Sequence, residues 1–201
     1  MFHRFISSFL HPIIFPLLGS VIYLLTIPRF INDRYKLTLL LIVFIGSYVL
    51  PILLLYLFKK LQMIQSFHLK TIAERKFPLL FFSFLAILIG KMLFKIIIVN
   101  DLAIYFVSGG VALLLTYVFL WFRVKVSIHT LGIGGLIGFF IQLSIVYHQN
   151  FLILIAVLFL LFGLIANARL RLKAHTFREI LLGVSFGIAM QLLVPYLYQN
   201  I

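Results

Sequence analysis

Phe151-Leu-Ile-Leu-Ile-Ala-Val-Leu-Phe-Leu-Leu-Phe-Gly-Leu-Ile-Ala166 runs straight into Asn167-Ala-Arg169-Leu-Arg171-Leu-Lys173-Ala-His175-Thr-Phe-Arg178-Glu179, and the chain then returns to Ile180-Leu-Leu-Gly-Val184. An apolar run, a short basic island and another apolar run are the pattern of two membrane helices joined at one bilayer surface. In lipid every backbone group must be satisfied within a helix or a closed barrel. No barrel-like alternation is present, so the chain is read as an all-α, polytopic transmembrane helix bundle.

The same arrangement repeats outward from this stretch. Of 201 residues 64% are hydrophobic and 10% charged, with a mean hydropathy of +1.23. A soluble domain of this size has too little interior to hide that much apolar surface. About seven spans are predicted, roughly 9–28, 37–58, 77–99, 102–122, 131–147, 151–166 and 180–197. The fifth and sixth are short for a core of about 30 Å, so they are expected to extend into their loops or to meet a thinner bilayer. Residues 1–201 are taken as a single integral membrane domain without internal repeats. Pro12 and Pro16 interrupt the apolar region that a cleavable signal needs, so the first span is expected to be retained. Pro51 is expected to kink the second span.

Three polar islands hold most of the charge: Lys59 to Lys76, Arg123 to Thr130 and Asn167 to Glu179. Two spans separate each from the next, which places all three on one membrane face. The formal net charge of +13 comes from 17 Lys and Arg against 4 Asp and Glu. Such a balance suits nucleic acid or anionic lipid; charges confined to short loops between spans favour the lipid bilayer and its head groups over nucleic acid. The absence of cysteine excludes disulfides, thiolate catalysis and cysteine metal sites. Composition does not set the oligomeric state.

In the third island His175 and Glu179 are four residues apart, on one face of a helix. A carboxylate bonded to one imidazole nitrogen fixes the tautomer and leaves the other nitrogen as a nucleophile or base. Arg169, Arg171 and Lys173 offer charge to a phosphoryl group, the arginines through a planar fork. The competing reading is a basic loop resting on head groups, with Glu179 neutralising a neighbour.

The second island is Arg123-Val-Lys125-Val-Ser127-Ile128-His129-Thr130, followed by Gly132, Gly134, Gly135 and Gly138. His129, just before a helix start, suits proton donation to a leaving oxygen. The glycines either expose backbone N–H groups to phosphate or let helices approach closely, and close approach is the favoured reading. In the first island Lys70, Arg75 and Lys76 offer a phosphate clamp, and Phe77-Pro78 opens the third span.

Together the islands resemble the type-2 phosphatidic acid phosphatase family, whose motifs are Lys-x6-Arg-Pro, Ser-Gly-His and Arg-x5-His-x3-Asp on one membrane face. This chain has Lys70-x6-Phe77-Pro78, Ser127-Ile128-His129 and Arg169-x5-His175-x3-Glu179, covering about residues 60–190. The resemblance implies a six-helix phosphatase-like core and hydrolysis of a lipid phosphomonoester or diphosphate through a phosphohistidine. It implies His175 as nucleophile, Glu179 as its orienting carboxylate and His129 as acid. Arg169 and Lys70 would bind phosphate oxygens, with Ser127 assisting; Arg75, Lys76 and Lys125 complete the candidate phosphate-binding set. No cofactor or metal is expected, since only Glu74 and Glu179 lie on that face. The departures are Glu179 in place of Asp, Ile128 in place of Gly and Phe77 in place of Arg.

Two alternatives stay open: a non-catalytic member that binds or moves an anionic phospholipid, and a small transporter. The transporter reading uses Lys91, placed roughly 12 Å from the end of the third span at 1.5 Å per residue, and the intramembrane charge such proteins need. An inner-membrane location is expected. Twelve cations on the histidine face against three opposite place that face in the cytoplasm, whereas the resemblance places it on the periplasmic side.

Overall fold

The computed structural model describes residues 2–27, 31–67, 69 and 71–200. It is 82% helical, with no strand among the described residues. In chain order the helices are α1 (Phe2–Phe9), α2 (Ile14–Thr26), α3 (Asp33–Phe44), α4 (Leu50–Lys60), α5 (Ile72–Leu93), α6 (Asn100–Trp121), α7 (Ile128–Tyr147), α8 (Leu152–Arg171) and α9 (Phe177–Gln199). A π-turn, Ile45–Val49, joins α3 to α4, and a 3-10 turn, Ile97–Val99, precedes α6. Six helical segments are long and apolar enough to cross a membrane, the first of them the continuous stretch Asp33–Lys60.

The first of the seven expected spans is corrected. Pro12 lies in a turn that separates α1 from α2, and α2 has only 13 residues. At 1.5 Å per residue it covers roughly 20 Å, short of a bilayer core. The expected shortness of the fifth and sixth spans is also resolved: each is a 20-residue helix, roughly 30 Å long. Their extension places His129 on α7 and Arg169 on α8, so both sit on helix ends and not in loops. Conversely, α5 ends at Leu93, which leaves Lys91 exposed in its last turn, shallower than expected. Pro51 has no N–H to donate, and its ring crowds the preceding turn. The chain answers with the π-turn, closed by Leu50 N–H to Ile45 O.

The chain divides into two compact units, residues 16–123 and residues 1–15 with 124–201. In the first of these α5 packs along α6. Ser83 Oγ donates to Gly110 O at 2.8 Å, and Gly90 lies against the backbone of Ala103, where a Cβ would come within 2.8 Å of its carbonyl. The N-terminus of α5 is held by a capping box, Thr71 with Glu74. Glu74 Oε1 also accepts from Gln65 N–H at 2.7 Å, which ties down the preceding loop.

The second unit is organised by α7, whose Ile133, Leu136, Ile137, Phe139, Phe140 and Leu143 are all but fully buried. Between membrane helices there is little hydrophobic drive, and small residues that allow close van der Waals contact supply the packing. Gly134 and Gly138 on α7 meet Val184 and Ile188 on α9, while Gly183 and Gly187 on α9 meet Thr130 and Leu131 on α7. Each helix thus carries a glycine pair four apart. The facing order makes α7 and α9 parallel, with both N-termini at one end. There Ser127 N–H donates to Glu179 O at 3.1 Å, and Thr130 Oγ1 reaches Ile180 O at 3.0 Å. The favoured reading of the second-island glycines, helix approach, holds at Gly134 and Gly138.

Candidate functional site

The turn that carries His175 is built by α8 and α9 together. Helix α8 ends in a Schellman motif: Ala174 N–H bonds Arg169 O at 3.1 Å and Lys173 N–H bonds Leu170 O at 2.9 Å. Lys173 takes the left-handed conformation, φ 50°, that this motif requires. Three residues after Lys173, Thr176 caps α9, and its partner in the capping box is Glu179. Only His175 separates these two terminating devices, so its backbone position is closely specified.

Glu179 Oε2 accepts from His175 Nδ1 at 2.7 Å and from Thr176 N–H at 3.2 Å. A carboxylate only accepts, so the imidazole proton is on Nδ1, and in the neutral ring the lone pair lies on Nε2. The His175 side chain is 1% exposed. The four-residue spacing therefore does bring histidine and carboxylate together. The carboxylate also has a structural duty that the sequence reading did not assign to it. The signal was present: Thr-x-x-Glu is a capping box, and it occurs at both Thr71–Glu74 and Thr176–Glu179.

Arg169, in the last turn of α8, is buried at 8% exposure. Its Nη1 donates to Ser7 Oγ of α1 at 2.8 Å. His129, in the first turn of α7, has its Nε2 3.2 Å from the Ser7 carbonyl; a carbonyl only accepts, so Nε2 carries a proton. The His11 ring stands edge-on to His129 at 5.5 Å. Arg169 and His129 share Ser7 as a partner. Thus His129, Arg169, His175 and Glu179 gather at one end of a single compact unit, with Ser7 and His11 as members that the sequence reading missed. Phe2, Phe5 and Phe9 mark one face of a short helix and Ser7 falls opposite them, a periodicity legible in the sequence ahead of the first expected span.

Ser127 is fully buried at the N-cap of α7, yet its side chain makes no capping bond. Ser127 Oγ and Arg169 Nε are both buried polar atoms without a hydrogen-bond partner among the described residues. Such groups are uncommon in native structures; Ser47, Ser66 and Ser108 are in the same state elsewhere in the chain. Lys125 is half-buried in the segment leading to Ser127.

The first-island residues belong to the other unit. Lys70 lies outside the described residues. Arg75 is buried at 4% exposure, and its Nε donates to Leu69 O at 2.9 Å, so at least that nitrogen holds the loop before α5. Lys76 is exposed and, with Arg123, Trp121 and Ile72, lines an open cleft of about 510 Å³. Among the described residues no group of three His, Cys, Asp or Glu is arranged to hold a metal ion. No family model, no curated protein and no solved structure matches the chain.

Proposed function

We propose that this protein is a membrane lipid phosphatase that cleaves a phosphomonoester or diphosphate through a phosphohistidine. The observation that carries the reading is the His175–Glu179 pair at 2.7 Å beside a buried arginine with an unpartnered Nε. In this scheme His175 Nε2 attacks phosphorus in line while the ester P–O bond breaks. The departing alkoxide takes the proton from Nε2 of the His129 imidazolium, which is left as the neutral ring. Water then attacks the phosphohistidine, His129 takes back a proton, and inorganic phosphate leaves. Arg169 and Ser127 neutralise and hold the non-bridging oxygens, work that is mostly electrostatic.

The leaving group provides the test. Purified protein should release inorganic phosphate from phosphatidic acid in detergent with a metal chelator present. His129→Ala should slow that reaction by roughly 10² to 10⁴-fold, and should slow an aryl phosphate, whose phenolate needs no proton, far less. Equal losses on both substrates would remove His129 as the acid. A wild type inert on a broad panel of lipid phosphates would favour a second reading, a non-catalytic anion binder, which the 1% exposure of His175 already recommends.

Glu179 has two duties that two variants separate. Glu179→Gln keeps an oxygen for the Thr176 N–H but removes the charge that orients and supports the imidazole, and turnover should fall by roughly 10²-fold. Thr176→Ala removes only the cap, and should cost about 1 kcal/mol of stability with turnover little changed. Turnover measured at matched folded fraction distinguishes them; a similar loss in both would make the pair purely architectural.

A further inference from the structure

Ser7 presents two oxygens to the site in the way a phosphate ester would. Its hydroxyl takes the Arg169 guanidinium at 2.8 Å, and its carbonyl faces the His129 Nε2 proton at 3.2 Å. In the proposed reaction those two donors serve a non-bridging oxygen and the leaving oxygen. The histidine intended for attack is at the same time shut away, with a side chain 1% exposed. Arg169 Nη1 and His129 Nε2 are both taken by Ser7 while these contacts stand.

The opposite face of α1 has a different character. Phe2, Phe5 and Phe9 are each more than 60% exposed, and the rings of Phe5 and Phe9 stack at 5.7 Å. At 100° per residue the three fall within an arc of roughly 60°, with Ser7 on the far side. An apolar stripe on a short helix beside membrane spans belongs in the interface between head groups and acyl chains. The turn at Leu10 to Pro12 separates α1 from α2, and Pro12 prevents the two from merging into one rigid helix.

We propose that α1 is a substrate-mimicking lid: Ser7 occupies the anion site from within, and an arriving lipid phosphate displaces it while the phenylalanine stripe stays in the interface. This rests on the histidine cluster being an anion site, as the phosphatase reading requires. The lid makes access competitive. Lipid phosphates displace Ser7 because they bring full negative charge to Arg169, which a neutral hydroxyl and carbonyl do not. Zwitterionic lipids without an exposed phosphate monoester do not displace it, so the lid adds selectivity and excludes water between turnovers.

The test uses the full chain in detergent, with inorganic phosphate as the probe for binding and phosphatidic acid for hydrolysis. Ser7→Ala removes the competing hydroxyl and should bind phosphate roughly three- to tenfold more tightly than wild type. Ser7→Asp places a tethered carboxylate against Arg169 and should bind at least roughly tenfold more weakly. A spin label at Phe5→Cys, in a chain without other cysteines, should gain mobility on addition of phosphatidic acid and not of phosphatidylcholine. The lid is overturned if Ser7→Ala binds phosphate no better than wild type, or if the label is unmoved by saturating phosphatidic acid, even where hydrolysis proceeds. Tighter binding by Ser7→Ala and weaker binding by Ser7→Asp, with no hydrolysis by any form, would keep the lid and remove the phosphatase. Failure of every form to bind phosphate would remove both.

Discussion

Replacing His175 with glutamine is expected to lower phosphate release from phosphatidic acid by roughly 10³-fold or more. Glutamine has an amide N–H that can still donate to Glu179, and it is close to histidine in length. The turn should therefore survive, because that turn is held by the Schellman bonds of α8 and the capping box of α9, neither of which uses the imidazole. What disappears is the lone pair on Nε2. No neighbouring group replaces it, since His129 Nε2 is protonated toward Ser7 and Arg169 has no lone pair to offer. The measurement is turnover at equal folded fraction, with thermal unfolding in detergent as the control for integrity. Trapping of an acid-labile phosphoryl group on wild type, absent from the variant, would be the positive counterpart. Wild-type turnover in His175→Gln would show that some other atom attacks phosphorus.

Gly187→Leu is expected to have the largest structural effect of any single replacement in α9. A Cβ there would overlap the Leu131 carbonyl and come within 2.6 Å of the Gly135 nitrogen and 2.8 Å of the Gly134 carbonyl carbon. All three are backbone atoms of α7 and cannot rotate away, so the helices must separate. Separation strips contacts along the whole α7–α9 seam, and a cost of about 3 kcal/mol or more follows. It also pulls apart Ser127 N–H and Glu179 O, so the histidines lose their common frame. Gly163 on α8 provides the comparison, because a Cβ there meets nothing within 4 Å. Gly163→Ala should be neutral or stabilising by up to about 1 kcal/mol. Thermal unfolding of both variants in the same detergent decides the matter. Equal midpoints would mean that the glycine seam is not what holds α9 to α7.

How much of this was legible beforehand depended on the range of the interaction involved. His175 with Glu179 is a local relation, four residues on one helix, and spacing alone was enough to expect it. The glycines at 134 and 138 were also readable as packing residues, but their partners were not: Val184 and Ile188 lie some fifty residues away, and no local pattern encodes that pairing. Ser7 was invisible for a related reason. Its two contacts, to residues 129 and 169, cross 122 and 162 positions. The first span, expected over 9–28, was drawn too long because hydropathy sums residues without regard to the turn that Pro12 imposes, and the helix runs only from Ile14 to Thr26. Lys91 was placed too deep because the apolar run continues past Leu93 while the helix does not. The first-island clamp was read from charge alone; in the structure Arg75 donates its Nε to the Leu69 carbonyl.

The amino-acid sequence by itself determined that the chain is helical, with apolar runs long enough to cross a membrane, because in lipid the backbone has no other solvent than itself. It also determined where basic and histidine-bearing segments emerge between apolar runs. Only the tertiary structure decided that α7 and α9 lie parallel along a glycine seam, that Arg169 and His129 share one serine, and that His175 is enclosed. Those outcomes turn on how closely distant backbones approach, and van der Waals contact is read in ångströms between surfaces that composition and periodicity do not specify.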